Sequence, residues 1–425
     1  MKVSIPYAKE HISFEIPAGM DCEILRSKPV PVPEGVSQDD LVRAAMAAPI
    51  GSARLSELAR GKQTATIICS DHTRPVPSRH ILPHMLAELR QGNPAIRITL
   101  LIATGCHRHT TKEELIGKMG EAIVEQEHIV VHDCLDEASL TDVGTLPSGA
   151  KLRINRAAAE TELLISEGFI EPHFFAGFSG GRKSVLPGVC SRTTVLGNHC
   201  AKFIASPCAR TGVLEGNPLH KDMIAAAQLA HLQYIVNVLI DEKKNAVAAF
   251  AGDPFAAHAK GCAYLAQYAA VQPTRPADIV ITSNGGYPMD QNIYQSVKGL
   301  TAAEGAAAKD AVIITSASCT DGHGGESFYQ TLAQCKSPAE LLESILKVPQ
   351  NETIPDQWES QILARILAAH HVIFVADPSV KKEIQSMKMD YAETLEEAFQ
   401  LAIKEKGTKA RLTVIPDGIS VIVKA

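Results

Sequence analysis

The chain has 425 residues, of which 45% are hydrophobic and 21% charged, and its formal net charge at pH 7 is -6. This length exceeds that of one ordinary compact core, so it predicts two domains. The slightly acidic balance excludes a general attraction to nucleic acid or anionic membranes, and no apolar run reaches membrane-spanning length. Ten cysteines without a C-x-x-C pair indicate neither a disulfide framework nor a zinc ribbon, so we expect a cytoplasmic protein that acts on small molecules.

Residues 1–19 alternate polar and apolar positions, which predicts a pair of strands. Short β-branched runs then alternate with segments of helical spacing, which predicts an α/β fold of mainly parallel sheets flanked by helices. The predicted strands are 64–70, 97–105, 128–133, 277–283, 310–316 and 371–377. Two prolines within 271–278 precede a fresh strand and predict a boundary between a first domain at 1–271 and a second at 277–425.

Polar, glycine-rich segments follow most of these strands. They are SDHTRP (70–75), GCHRH (105–109), SNGGYPMDQ (283–291) and SASCTDGHGG (316–325). Ligands of open parallel sheets bind beyond the carboxyl ends of the strands. We therefore expect an active site in a cleft between the two domains.

The first two of these segments contain candidate ligand-binding side chains. Arg74 suits two-point binding of a carboxylate or phosphate, and Asp71 is near enough to hold it or to contact the ligand, although a surface ion pair is the alternative. His107 and His109 flank Arg108, and they either bind a metal or are ordinary loop histidines. His107 lies nearer the strand end and is the stronger candidate.

The stretch EPHFFAGFSGGRKSVLPG at 171–188 is the most unusual in the chain. It would contain the phosphate-binding pattern G-x-x-x-x-G-K-[ST] if residue 182 were glycine, but that residue is Arg182. Arg182 therefore opposes a true P-loop. Gly180 and Gly181 permit backbone shapes and close ligand approach that other residues resist.

Lys183 has three possible roles from the residues alone: a cation that neutralises phosphate, a covalent amine, or an exposed lysine. His173, among aromatic residues, is either a buried core histidine or part of a site with this loop. His199 is followed directly by a cysteine, and spacing rules predict no metal there. Gln295 and Lys298 are three apart on a predicted helix and can share one face.

Taken together, these segments resemble the nickel-pincer-nucleotide lactate racemase family, which contains 2-hydroxyacid racemases and epimerases. The matching motifs span nearly the whole chain. They are D-x-T-R-P (71–75), T-G-x-H-R (104–108), E-P-H-x5-S-G-G-R-K-x3-P-G (171–188), G-N-H (197–199), Y-Q-x-x-K (294–298) and Trp358.

The resemblance implies an isomerase that inverts a 2-hydroxy acid by reversible hydride transfer, through a 2-oxo acid. The implied cofactor is nickel pyridinium-3,5-bisthiocarboxylic acid mononucleotide, bound covalently to Lys183, with His199 as the nickel ligand from the protein. His107 and His173 would be the paired acid/base residues. The other implied roles are substrate binding by Arg74, Gln295, Lys298, Asp71 and Tyr294, and cofactor binding by Gly180, Gly181, Arg182 and Trp358.

The choice of substrate stays open at this point between lactate and related 2-hydroxy acids. His72 stands where we expect an apolar residue in members that act on lactate, which suggests that it admits a polar side group such as that of malate. The implied partners are the acid itself and the enzymes that make the cofactor. Alternatives are a transferase with a modified P-loop, a zinc-type hydrolase or lyase using His107, His109 and His173, and a carrier for the nucleotide.

Overall fold

The structure, a computed structural model, describes residues 1–32 and 34–424, in which strands and helices alternate. The strands are β1 (Lys2–Tyr7), β2 (Glu10–Glu15), β3 (Cys22–Ile24), β4 (Thr64–Ser70), β5 (Arg97–Ala103), β6 (His128–Val131), β7 (Leu140–Thr145), β8 (Lys151–Asn155), β9 (Leu163–Phe169), β10 (Pro172–His173), β11 (Gly177–Phe178), β12 (Leu232–Ile240), β13 (Ala246–Gly252), β14 (Ala270–Val271), β15 (Ala277–Ser283), β16 (Ala307–Ser316), β17 (His371–Val375), β18 (Asp390–Ala392), β19 (Leu412–Ile415) and β20 (Ile422–Val423).

The helices lie between these strands and cover the two large sheets. They are α1 (Gln38–Ala47), α2 (Leu55–Leu58), α3 (Leu82–Gly92), α4 (Lys112–Met119), α5 (Glu121–Gln126), α6 (Arg156–Ala159), α7 (Arg192–Asn198), α8 (Ala201–Ile204), α9 (Pro218–Leu229), α10 (Ala256–Ala269), α11 (Ile293–Ala306), α12 (Glu326–Gln334), α13 (Pro338–Leu346), α14 (Gln357–Ala369), α15 (Lys381–Ser386) and α16 (Leu395–Lys406). None of those in the described ranges is both long and apolar enough to cross a membrane.

The first large sheet has the strand order β13-β12-β9-β4-β5-β6, and only the β12–β13 pair is antiparallel. The chain adds β5 and β6 on one side of β4 and then adds β9 and β12 on the other side. The order therefore reverses between β4 and β9, and ligands of such sheets bind at the reversal. Asp71 directly follows β4, and His173 lies four residues after β9.

The second large sheet has the order β18-β17-β16-β15-β19-β3, and all its pairs are parallel. Its edge strand β3 comes from the start of the chain. After β15, helix α11 begins at Ile293, and the side-chain oxygen of its N-cap residue Asn292 accepts a hydrogen bond of 2.9 Å from the backbone N–H of Gln295. This cap fixes the start of the helix, so Gln295 and Lys298 lie in its first two turns.

Alternate residues of each central strand face different apolar clusters. In β4, Ile67 packs on one face of the first sheet and Ile68 on the other. The cluster around Ile68 also contains Val280 and Ile313 of the second sheet. One continuous apolar core therefore joins the two sheets.

The predicted two-domain α/β fold with mainly parallel sheets is confirmed. The predicted strand pair at residues 1–19 is the antiparallel pair β1 and β2. The predicted strand at 97–105 is two residues too long, since β5 ends at Ala103 and Gly105 turns with a φ of +57°. The domain bounds at 1–271 and 277–425 stay predictions, and the structure adds that β3 joins the second sheet.

Hydrogen bonds from the buried side chain of Arg182 stabilise the loop after β9. Its side chain is 1% exposed, and its guanidinium donates to the carbonyl oxygens of Ala176 at 2.7 Å and Phe178 at 2.6 Å, and to Nδ1 of His220 at 3.0 Å. Burial lowers the pKa of Arg182 to about 10, which leaves the group charged at neutral pH. These hydrogen bonds therefore fix the backbone that positions the neighbouring Lys183.

Replacing Arg182 with methionine is expected to lower the free energy of unfolding by about 2–5 kcal/mol, because buried carbonyl oxygens lose their donors. Urea unfolding measures the change. The control is Arg108→Met, in an exposed ion pair with Glu114, which is expected to cost about 1 kcal/mol or less. Equal losses in the two variants would contradict the role given to Arg182.

Helix α11 approaches β15 closely at Gly299, where an added Cβ would lie 2.6 Å from the backbone oxygen of Ser283. Gly299→Ala is therefore expected to destabilise the fold by about 1–3 kcal/mol. The matched control is Gly117→Ala in α4, where a Cβ meets nothing within 4 Å and helix propensity favours alanine by about 0.5–1 kcal/mol. The midpoints of urea unfolding should shift in opposite directions, and a shift of the same sign would refute the close approach.

Candidate active site

A cavity of about 380 Å³ lies at the carboxyl ends of β4, β5 and β9. Residues of the first sheet and the loops after its strands line it, together with residues of α11, α14 and the segment just before α14. The predicted site residues in its wall are Asp71, Arg74, His107, His173, Gly180, Gly181, Lys183, His199, Tyr294, Gln295, Lys298 and Trp358. The structure thus brings together side chains that are nearly 290 residues apart in the sequence.

Asp71 and His107 form a hydrogen-bonded pair. Asp71 is 1% exposed, and its Oδ2 lies 2.7 Å from Nδ1 of His107. Burial alone would raise the pKa of Asp71, but the hydrogen bond and charge of His107, together with Arg74, hold it below its ordinary value of 3.8. An ionised Asp71 keeps the ring proton of His107 on Nδ1, so Nε2 is free to accept a proton.

His173 lies against two phenylalanines, with its ring centroid 4.6 Å from that of Phe175. The backbone N–H of Ala176 donates to its Nδ1 at 3.3 Å, so the neutral ring carries its proton on Nε2 and offers an N–H to a ligand there. Burial, followed by the charges of Lys183 and Lys298, holds the pKa of His173 well below its ordinary value. The ring is therefore neutral in this cavity unless an anion offsets the positive field.

The side chain of Lys183 is half-buried, and its amine lies near other positively charged side chains. Its Nζ lies 5.8 Å from the centre of the Phe175 ring. Burial, and then the charges of Arg74 and Arg182, lower the pKa of Lys183 well below its ordinary value of 10.5. A neutral amine is a nucleophile, so this environment suits covalent chemistry better than a permanent positive charge.

His199 has the form of a single metal ligand. Its Nδ1 lies 3.1 Å from the carbonyl oxygen of Val195, and Phe175 and Trp358 meet the ring edge-on. Burial and the charge of Lys183 lower its pKa to about 3, which leaves Nε2 unprotonated. Within residues 1–32 and 34–424, no three His, Cys, Asp or Glu side chains form a group that could hold a metal.

Helices α11 and α14 close the other side of the cavity. Lys298 Nζ donates to Oε1 of Gln295 at 2.6 Å, and the hydroxyl of Tyr294 donates to Asp356 at 3.1 Å. Burial and then the charge of Arg74 lower the pKa of Lys298. Arg74 and Lys298, two cations in the wall of one cavity, mark a place for an anionic ligand.

Two predicted site residues do not line the cavity. The Arg182 guanidinium is directed to backbone carbonyls, as described above, and not to a ligand. His72 faces a separate surface pocket, where its Nδ1 lies 3.0 Å from the hydroxyl of Thr110. His109, the third histidine of the zinc alternative, is exposed and lies outside the cavity wall.

Gly180 and Gly181 line the cavity, but glycine is needed at both positions because other parts of the protein pack closely against them. A Cβ on Gly180 would lie 2.7 Å from the carbonyl oxygen of Phe169, and one on Gly181 would lie 2.7 Å from the ring of His258. The N–H of Gly181 already donates to Asn237 at 2.8 Å. This N–H is therefore not free for a phosphate group.

Two buried carboxyl groups in the cavity wall were missed from the sequence. Glu167 accepts hydrogen bonds from the backbone N–H of Ser70 at 2.9 Å and from the hydroxyl of Ser78 at 3.2 Å, which ties β9 to the end of β4. Glu359, next to Trp358, is 1% exposed. The signal for Glu167 was a carboxyl group in an otherwise apolar strand, whereas Glu359 stands in an ordinary helical pattern.

Family models match both halves of the chain. The lactate racemase N-terminal domain matches residues 7–212, and the lactate racemase C-terminal domain matches residues 272–423. The chain is 52% identical over 422 residues to a lactate racemase of Thermoanaerobacterium thermosaccharolyticum, and 50% identical over 422 residues to one of Lactiplantibacillus plantarum. Each alignment covers 99% of both chains.

Solved structures agree with these matches. The lactate racemase apoprotein of T. thermosaccharolyticum superposes with a TM-score of 0.97 at 51% identity and covers 100% of both chains. A Thermotoga maritima protein, with a TM-score of 0.66 at 18% identity over 93% of this chain and 100% of its own, shares the fold. The chain therefore belongs to the lactate racemase family and is an isomerase.

Proposed function

We propose that this protein interconverts the enantiomers of lactate, or of a close 2-hydroxy acid, in a cleft between its two domains. The supporting observation is one cavity of about 380 Å³. Its wall contains Lys183, whose environment favours the neutral amine, His199, whose imidazole suits a metal, and two further histidines. The family relationship favours the same activity, since the relatives aligned over 99% of their length are lactate racemases.

The substrate carboxylate would bind to Arg74, Gln295 and Lys298. These residues line the cavity together, and burial followed by the nearby positive charges lowers the pKa of Lys298 and His173, as expected of a site that binds an anion. His72 was a candidate for admitting a malate-like side group, but it faces the surface pocket. This favours lactate over malate as the substrate.

The residues present fit the nickel-pincer nucleotide. Lys183 offers a neutral amine for the covalent link, His199 offers Nε2 to nickel, and Trp358 lies beside His199 with ring centroids 5.0 Å apart. The remaining ligands to the metal would have to come from the cofactor itself. When bound, the cofactor would supply a reversible acceptor for the hydride on the α-carbon, which makes both faces of a planar 2-oxo acid accessible.

The histidines would move the hydroxyl proton. Nε2 of His107 accepts it from one enantiomer, while Asp71 holds Nδ1–H and stabilises the charged ring. His173 would serve the other enantiomer. Because its Nδ1 accepts a hydrogen bond from Ala176, the ring would have to give up this contact to present an unprotonated Nε2 to the hydroxyl group. Two bases are needed because the enantiomers direct their hydroxyl groups differently.

The other candidate functions have less support. The carbonyl oxygens just before the turn Gly181–Ser184 accept hydrogen bonds from Arg182, and the N–H of Gly181 donates to Asn237, which opposes phosphate binding by a modified P-loop. The zinc alternative needs His109, which lies outside the cavity wall. A mere carrier would have no use for the Asp71–His107 pair. We also propose that the protein works in the cytoplasm and receives its cofactor from the enzymes that make it.

Coexpression with the cofactor-making enzymes tests the attachment site. The intact mass is expected to increase by one nucleotide adduct on Lys183, with about one nickel per chain, and Lys183→Ala should lose both because the amine forms the link. Exposed Lys202→Ala is the control and should retain both. An adduct that survives in Lys183→Ala would refute this proposal.

Asp71→Asn in the loaded protein is expected to lower kcat for lactate racemisation by about 10²- to 10⁴-fold, because an amide no longer holds the ring proton of His107 on Nδ1. Racemisation is followed by chiral chromatography, with mass and nickel measured in the same sample. His109→Ala is the control and should keep full activity. Loss of activity in His109→Ala with a normal rate in Asp71→Asn would favour the zinc alternative.

A further inference from the structure

Glu359 is a buried carboxyl group for which the protein supplies no partner. It lies in the first turn of α14 and lines the cavity, yet it is 1% exposed. Its Oε1 is buried and makes no hydrogen bond within the described residues. A buried polar atom without a partner costs about 1–3 kcal/mol, so an unpartnered carboxyl group in a cavity wall points to a ligand.

Lys298 is the cation whose charge lowers the pKa of Glu359, but it does not form an ion pair with Glu359. Its ammonium donates to Gln295, and no carboxylate oxygen in residues 1–32 and 34–424 lies within 4.0 Å of it. The hydroxyl proton of Tyr294 is directed to Asp356. The ammonium of Lys298 and the carboxyl group of Glu359 are thus more than 4.0 Å apart and do not contact each other directly.

The surroundings favour the neutral form of Glu359. Burial raises its pKa, the charge of Lys298 opposes the increase, and the charge of Asp356 adds to it. The facing ionisable groups are Lys298 and Tyr294 on α11 and Asp356 before α14. A neutral carboxyl group carries an O–H that can donate to an anion, whereas a carboxylate would repel it.

We infer that Glu359 is a further substrate-binding residue, whose neutral carboxyl group donates a hydrogen bond to the substrate carboxylate beside Lys298. The inference rests on the proposed function, which places the carboxylate at Lys298 and Gln295. It gives this carboxylate a neutral donor in addition to its cations, so the site gains a hydrogen bond without gaining another charge.

Binding of racemic lactate to the cofactor-loaded, full-length protein tests this role by isothermal titration calorimetry. Racemic ligand is used because turnover does not change its composition. Glu359→Ala is expected to weaken the Kd by about 10-fold or more, and Glu359→Gln, whose amide still donates, should stay within about 3-fold of the parent. Exposed Glu352→Ala and Glu352→Gln are the matched controls and should bind as the parent does.

Unchanged binding in Glu359→Ala would overturn the inference. Binding in Glu359→Gln as weak as in a folded Glu359→Ala would also overturn it, because a donor would then not suffice. Should Glu359→Ala fail to fold, parent-like binding in Glu359→Gln together with weak binding in Glu359→Leu supports the donor. If the parent protein racemises lactate while these variants bind normally, only this inference fails; if the parent neither binds nor racemises lactate, the proposed function fails with it.

Discussion

The buried contacts of Arg182 are the constraint on which the site depends. A guanidinium at 1% exposure has lost nearly all its water, and the carbonyl oxygens of Ala176 and Phe178 replace it. Those oxygens belong to the loop that must turn sharply after β9 to carry Lys183 into the cavity. The guanidinium of Arg182, which a phosphate-binding loop would not contain, therefore stabilises the loop from within. The neighbouring Lys183 is free to have a different role.

The cavity concentrates positive charge before any ligand arrives. Arg74, Lys183 and Lys298 all line it, and burial together with neighbouring positive charges lowers the pKa of Lys183, Lys298 and His173. This arrangement favours an unprotonated amine at Lys183 and an unprotonated imidazole at His173. The same positive charges attract a carboxylate. The charges that help to keep the lysine nucleophilic thus also give the cavity its affinity for an anion.

The sequence predicted the fold class and twelve residues of the cavity wall. Buried parallel strands leave a clear apolar signal, and their carboxyl ends meet. Lys183 and His199 required the family resemblance, since a metal with one protein ligand leaves no spacing pattern. The direction of individual side chains could not be predicted from the sequence. His72 points to the surface pocket, and Arg182 points into the protein. Glu359 was missed because one carboxyl group on a helix is ordinary until its neighbours are known.

The position of β3 has a consequence for biosynthesis. Cys22 of this strand pairs with Leu412 of β19, 390 residues later in the chain. The two strands therefore cannot pair until Leu412 has been synthesised, and closing so large a loop is slow. Until then β3 presents an unpaired strand edge that is open to aggregation. Pairing of β3 thus depends on synthesis of the chain through β19.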